Sequence, residues 1–345
     1  HEARQAAEHL RRVGVDLQQP QRTDWPAVYR RVGGYEGSKL EAHFQVLARM
    51  QVRIGPNRAG PFGILQPVAD GIKLIFKEEL IPDKADKLIF ILAPIITVIP
   101  ALVITAVVPW GDEIVMFGRQ IKLHVADLNV GLLYILTVTS ISIYGITLAG
   151  WSSNNKYATM GGLRATAQMI SYELAIGFAV IGPVLLTGSL SLVDIVNHQR
   201  GVWFIFTQPV AFIIFAIAML AEVNRAPFDM PEAEQELTAG YHTEYSGMKF
   251  ALFFMAEYIK MIAISMIGAT LFLGGYLGPF VDQLPWLGPI YLFAKVILSL
   301  FVIIWIRATL PRIRYDRLMA LGWKVLFPLA LFSVMVTAVV VVLID

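Results

Sequence analysis

The residues best placed to do chemistry lie between Glu222 and Glu257. A polar loop there carries Arg225, Asp229, Glu232, Glu234, Glu236 and Glu244, while Glu222 and Glu257 stand just inside the strongly apolar segments that flank it. Carboxylates gathered at one membrane edge can trade protons, because closely spaced acids hold a shared proton near neutral pH. A plainer reading stands beside this one. Asp229-Met230-Pro231-Glu232 has the D-x-x-E form of a helix capping box with proline in the first turn. Capping has no use for Glu234, Glu236 or Glu244, which are either proton-handling groups or a solvated acidic surface. Glu232 and Glu236 would share a helix face at i and i+4, where like charges repel.

Glu173 and Glu257 make a stronger case, because each interrupts an apolar run, S-Y-E-L-A-I-G and F-M-A-E-Y-I-K. A charge at the centre of a membrane helix costs about 2.5–3.5 kcal/mol, so such residues usually face a polar path or a partner. An ion pair of Glu257 with Lys260 at i+3 is the structural alternative. Lys295 poses the same question, with a side chain reaching toward the interface as its simplest answer. His242 reads as a packed loop histidine.

Other chemistries are excluded by composition. The chain has no cysteine, which removes disulfides, thiolate nucleophiles and cysteine-ligated iron–sulfur clusters together. The six histidines form no H-x-x-x-H pair, and no phosphate-binding glycine motif is present. No metal, nucleotide or redox cofactor is expected on this chain.

These groups need a membrane scaffold to position them. The chain is 56% hydrophobic and 16% charged, against about 25% charged for soluble domains. Seven apolar stretches near 88–109, 128–149, 167–187, 203–222, 249–273, 289–309 and 324–344 each approach the ~20 residues needed to cross a bilayer. The expected fold is therefore all-α, polytopic, with seven recognisable transmembrane helices. Pro94, Pro100, Pro183, Pro209 and Pro328 should bend or interrupt them. Residues 64–79 predict an amphipathic helix lying in the interface: Val68, Ile72, Ile75 and Phe76 share one face, and Asp70, Lys73 and Lys77 make a polar stripe. Basic residues near span ends concentrate on the side of the acidic loop, and the other side carries only Arg119, Lys122 and Arg200. The loop is then cytoplasmic and the C terminus periplasmic. Arg312, Arg314, Asp316 and Arg317 read as a basic loop before the last span. Residues 1–45 form an atypical polar segment and 46–345 the membrane domain.

Several segments together resemble the H subunit of bacterial respiratory complex I, the proton-pumping NADH:quinone oxidoreductase. They are L-A-R-M-Q-V-R-I-G-P-N-R-A-G-P-F-G-I-L-Q-P-V-A-D-G-I-K (47–73), A-G-W-S-S-N-N-K-Y (149–157), S-Y-E (171–173), R-A-P-F-D-M-P-E-A-E-Q-E-L-T-A-G-Y-H-T-E-Y-S-G-M-K (225–249) and I-R-A-T-L-P-R-I-R-Y-D (306–316). The resemblance runs from about residue 46 to the end. It implies a subunit of the bacterial inner membrane that supplies the membrane part of the quinone cavity, with an acidic loop meeting the peripheral arm. Carried over, the quinone-cavity positions are Arg49, Arg53, Asp70, Lys73, Arg225 and Asp229. The proton-coupling positions are Glu173, Glu222, Glu232, Glu234, Glu236, Glu244 and Glu257.

The same resemblance implies quinone as substrate, FMN and iron–sulfur clusters in partner subunits, and contacts with other membrane subunits, peripheral-arm subunits and lipids, with no nucleic acid. The first span usual in the family is not visible in residues 1–45, where 23–36 weakly resemble the start of the complex's flavin-binding subunit. The equivalent subunit of a membrane-bound hydrogenase, or of a dehydrogenase with another electron donor, is the nearest alternative. A stand-alone proton-coupled transporter would show inverted repeats, and none is visible.

Overall fold

The computed structural model describes residues 65–116, 119–230, 240–281 and 283–344, together with Ala48, Ala59, Gly60 and Gly63. By backbone contacts the chain divides into two units, His1–Leu74 and Ile75–Asp345.

In the first unit the described residues centre on the start of helix α1, Gln66–Phe76. Gly60 (φ +75°) and Gly63 (φ +78°) turn the chain into it. The sequence predicts this helix over 64–79, and the observed one is shorter at both ends. Val68, Ile72, Ile75 and Phe76 lie exposed, as an apolar face meant for lipid would.

The second unit is a helical bundle. Its helices are α2 (Lys87–Ile104), α3 (Gly131–Ser152), α4 (Lys156–Thr187), α5 (Leu192–His198), α6 (Phe204–Thr207), α7 (Pro209–Glu222), α8 (Gly247–Phe272), α9 (Leu287–Thr309), α10 (Tyr315–Leu321) and α11 (Phe327–Ile344). Among the described residues six helical stretches are long and apolar enough to cross a membrane: Lys87–Val107, Gly131–Ser152, Lys156–Thr187, Gly247–Phe272, Leu287–Thr309 and Tyr315–Leu343.

The remaining apolar stretch, expected as one span over 203–222, is split. Gln208 leaves helical geometry at φ −132° and ψ 58°, and Pro209 starts a new 14-residue helix. A proline has no N–H to continue the preceding helix but suits the first position of the next. The last span is longer than expected. Helix α10 begins at Tyr315 and joins α11 through a π turn, Gly322–Leu326, so Asp316 and Arg317 are helical, not loop, residues. A two-stranded antiparallel hairpin, β1 (Glu113–Met116) with β2 (Arg119–Lys122), is an addition to the helical expectation. It pairs Glu113 opposite Lys122.

Capping explains where the long helices begin. Asp86 accepts from the Ile89 N–H at the start of α2, and Asn155 accepts from the Tyr157 N–H at the start of α4. Helix α4, at 32 residues, ends on Gly188 at φ +65°, the left-handed cap that glycine adopts without steric cost. It packs against α3, α7 and α11, while α2 packs on α3 and α8. Close approach of α2 and α3 requires Gly145, where a Cβ would stand 2.1 Å from Thr97 Oγ1 and 2.9 Å from the Ala93 carbonyl.

The bundle has two polar ends. At one, the Asp86 N–H donates to the Ser152 carbonyl, Ser246 Oγ accepts from the Leu80 N–H, and Lys249 pairs with Glu79 at 2.8 Å. At the other, Leu132 donates to Leu190, and Arg200 pairs with Asp112 at 3.1 Å.

Candidate functional site

The site is built where α7 ends. Glu222 is the last residue of α7, and the chain turns at once through Val223 and Asn224, the latter at φ +55°. Gln168 on α4 fixes this turn. Its Nε2 donates to the Ala221 carbonyl at 2.8 Å and the Phe228 carbonyl at 2.8 Å, with Asn224 Oδ1 at 3.2 Å. The turn brings Arg225 back into the bundle, where it is the largest fully buried side chain among the described residues.

Two ion pairs form there. Lys260 Nζ lies 3.2 Å from Glu222 Oε1, with side chains 4% and 3% exposed. Arg225 Nη2 lies 3.2 Å from Glu257 Oε2, with side chains 2% and 8% exposed. Glu257 and Lys260 both come from α8, so one helix answers both charges of the turn. Tyr241 donates its hydroxyl to Glu257 at 3.3 Å, and the Arg225 guanidinium stacks over the Tyr258 ring at 4.7 Å. Burial this complete makes each pair sensitive. Removing one partner of a buried pair typically costs 3–5 kcal/mol, because the other charge is left uncompensated.

Glu173 stands across a small cavity from Glu222. The cavity has a volume of about 30 Å³ and is lined also by Thr139, Ile176, Phe215 and Ile264. Its accessible wall is apolar, so neither carboxyl group opens onto it and it offers a water no hydrogen-bond partner. Ser140 on α3 donates to Glu173. A larger apolar groove of about 590 Å³ adjoins the same carboxyl group, between α3 and α4.

Of the expected coupling residues, the structure brings Glu173, Glu222 and Glu257 together. Glu244 lies in the loop before α8 and accepts from Asn155 Nδ2 at 2.6 Å, so the residue that caps α4 also holds the acidic loop. Glu232, Glu234 and Glu236 lie outside the described residues, and with Glu232 so does the capping box it would complete with Asp229. Among the expected quinone-cavity residues, Arg225 joins the buried glutamates. Asp229 pairs with Arg312 at 3.0 Å, half-buried. Asp70 and Lys73 stand on α1, and Gln66 Nε2 reaches Asp70 at 3.5 Å. Arg49 and Arg53 lie outside the described residues.

The pairing differs from the i+3 alternative, since Lys260 answers Glu222 and leaves Glu257 to Arg225. His242 is buried in an aromatic nest of Tyr241, Phe250 and Phe254, as expected of a packed histidine. Tyr241, Tyr258, Ser140 and Gln168 are additions that sequence reasoning did not place in the site, and Lys260 was expected only as the i+3 partner of Glu257. Lys260 carried a usable signal, a cation within an apolar segment; the others carried none.

The model of a family described as NADH dehydrogenase matches residues 42–338. The chain belongs to this family. It is 54% identical over 298 residues to an H subunit of NADH-quinone oxidoreductase, the one numbered 2, of Syntrophobacter fumaroxidans, covering 86% of this chain and 88% of the relative. It is 53% identical over 306 residues to the NADH-quinone oxidoreductase H subunit of Thermomicrobium roseum, covering 86% and 88%. Identity to the H subunit numbered 1 of Geobacter metallireducens is 54% over 302 residues, covering 88% and 90%. With its apolar helices, family membership makes the chain a multi-pass membrane subunit of the NADH-quinone oxidoreductase class.

Proposed function

We propose that this chain forms the membrane part of a quinone cavity and couples quinone reduction to proton translocation through its buried glutamates. The observation that carries the reading is the two fully buried ion pairs at the end of α7, Glu222 with Lys260 and Arg225 with Glu257.

In this reading the quinone headgroup is met by polar residues of the α1 region, Arg49, Arg53, Asp70 and Lys73. Electrons arrive from FMN and iron–sulfur clusters in partner subunits, since a chain without cysteine offers no thiolate ligands for a cluster. The acidic loop, with Glu232, Glu234, Glu236 and Glu244, faces the cytoplasm and the peripheral arm, and the C terminus faces the periplasm. Charge created on the quinone displaces Arg225 or Lys260 from its carboxylate, and the freed carboxylate takes a proton. Moving one charge against 100 mV requires about 2.3 kcal/mol. Breaking one buried ion pair costs about 3–5 kcal/mol, which is of the same order, so energy released at the quinone can be held in these pairs in amounts that match the step.

The test is Glu257→Gln and Glu173→Gln in the assembled complex in sealed vesicles, with quinone reduction and proton uptake measured separately. Either substitution is expected to lower coupled turnover at least about tenfold, which is ~1.4 kcal/mol at the barrier. Wild-type rates of both processes in both variants would overturn the reading.

A further inference from the structure

Lys295 lies in the middle of α9, within an apolar segment, and its ammonium does not run to solvent. It donates to three backbone carbonyls, Leu273 at 2.6 Å, Gly275 at 2.8 Å and Leu277 at 2.6 Å. It also stands 4.6 Å from the centre of the Trp203 ring. Lysine has three donors, and the carbonyls use all three. The carbonyls converge because Gly274 (φ +73°) and Gly275 (φ +51°) turn the chain sharply just after α8 ends. Positive charge at the carbonyl end of a helix is also the sign that its dipole favours.

A second buried side chain fastens the same turn. Gln199 donates to the Thr270 carbonyl at 2.9 Å and accepts from the Gly274 N–H at 2.9 Å. The far end of α8 is thus tied to α9 by Lys295 and to the loop after α5 by Gln199. Helix α8 is the helix that brings Glu257 and Lys260 to Arg225 and Glu222. Along a helix rising ~1.5 Å per residue, Lys260 is roughly 18 Å and Glu257 roughly 22 Å from Phe272. Axial or rotational slip at the end travels along a hydrogen-bonded rod to both. The two ion pairs stand at 3.2 Å, and contact is lost on moving about 1 Å further apart.

We infer that Lys295 is a positioning residue: by closing the carbonyl turn at the end of α8 it sets the register at which Glu257 and Lys260 meet their partners. Its importance for coupling rests on the role proposed above for those two residues. Its effect on the helix does not.

Lys295→Met tests this in the assembled complex, beside Glu257→Gln as reference. Two quantities are read: amide hydrogen exchange along α8 and the turn, and protons moved per electron. Methionine is expected to speed exchange about tenfold from Leu271 to Leu277, with the increase continuing back along α8 to Tyr258. Protons per electron are expected to fall by at least half, with KM for quinone within twofold of wild type. Unchanged exchange, or faster exchange confined to the turn with a wild-type proton ratio, would overturn the inference. If Glu257→Gln leaves the proton ratio intact, the coupling role of Glu257 fails, and exchange along α8 still decides whether Lys295 positions the helix. Should Lys295→Met not assemble, Lys295→Gln, which keeps two donors without the charge, is read by the same two measurements and the same outcomes.

Discussion

Replacing Lys260 by methionine tests how the buried charges depend on each other. The side chains of Lys260 and Glu222 are 4% and 3% exposed and meet at 3.2 Å, so methionine fills most of the space and removes only the charge and its donors. An unpaired buried carboxylate costs about 3–5 kcal/mol unless a proton discharges it. K260M should therefore either lower the stability of the assembled complex by that order or carry a protonated Glu222 at neutral pH. Infrared spectroscopy separates the outcomes, because a protonated carboxyl group has a carbonyl stretch that a carboxylate lacks. Glu222→Gln neutralises the other side and leaves the ammonium buried, with a penalty of the same size. The double variant K260M/E222Q has no buried charge at this position and should recover most of the loss, giving a coupling energy above about 2 kcal/mol in a double-mutant cycle. The band in K260M should vanish in the double variant. Wild-type stability in K260M with no new carboxyl band, or penalties that simply add, would refute the claim that these charges compensate each other.

Two further expectations follow from the packing around the site. Gly161→Ala places a methyl group 2.8 Å from Gly240 Cα and from the Tyr241 backbone nitrogen, neither of which can rotate away, so it should destabilise by about 1–3 kcal/mol. It should also disturb the Tyr241–Glu257 hydrogen bond; full assembly and wild-type thermal stability would contradict this. Tyr245, stacked on Phe90 at 4.0 Å, donates to the Phe90 carbonyl at 3.2 Å, and burial pushes its phenol up to about 12. A folded value raised above the unfolded one leaves stability whole below pH ~10 and removes about 2–3 kcal/mol as pH climbs toward 12. Spectrophotometric titration of Tyr245→Phe should lose a late-titrating phenol, and loss of one titrating near 10 would count against the burial.

The spans were legible because burial in lipid demands long apolar runs, and six of the seven expected stretches are long helices. The break at Gln208 was signalled by Pro209, though only the structure shows that α7 is left as a short helix ending on Glu222. Helix α10 was less visible, because Arg314 and Arg317 make its start look like loop. The glutamates of the site could be picked out as charges in apolar surroundings, but their partners could not. Glu222 and Lys260 are 38 positions apart on different helices, and nothing local says which carboxylate a lysine will meet. Arg225 looked like a loop cation available to a ligand; the turn pinned by Gln168 carries it into the bundle. Lys295 was equally opaque, since its partners are backbone carbonyls, which no side-chain pattern announces.

The placing of both buried ion pairs on one helix sets how the site can rearrange. Glu257 and Lys260 are three residues apart on α8, so they lie on one face of it. A rotation of α8 that draws Lys260 away from Glu222 therefore carries Glu257 away from Arg225 as well. The two pairs loosen together, as one cooperative unit with two charges of each sign, and not as two independent switches.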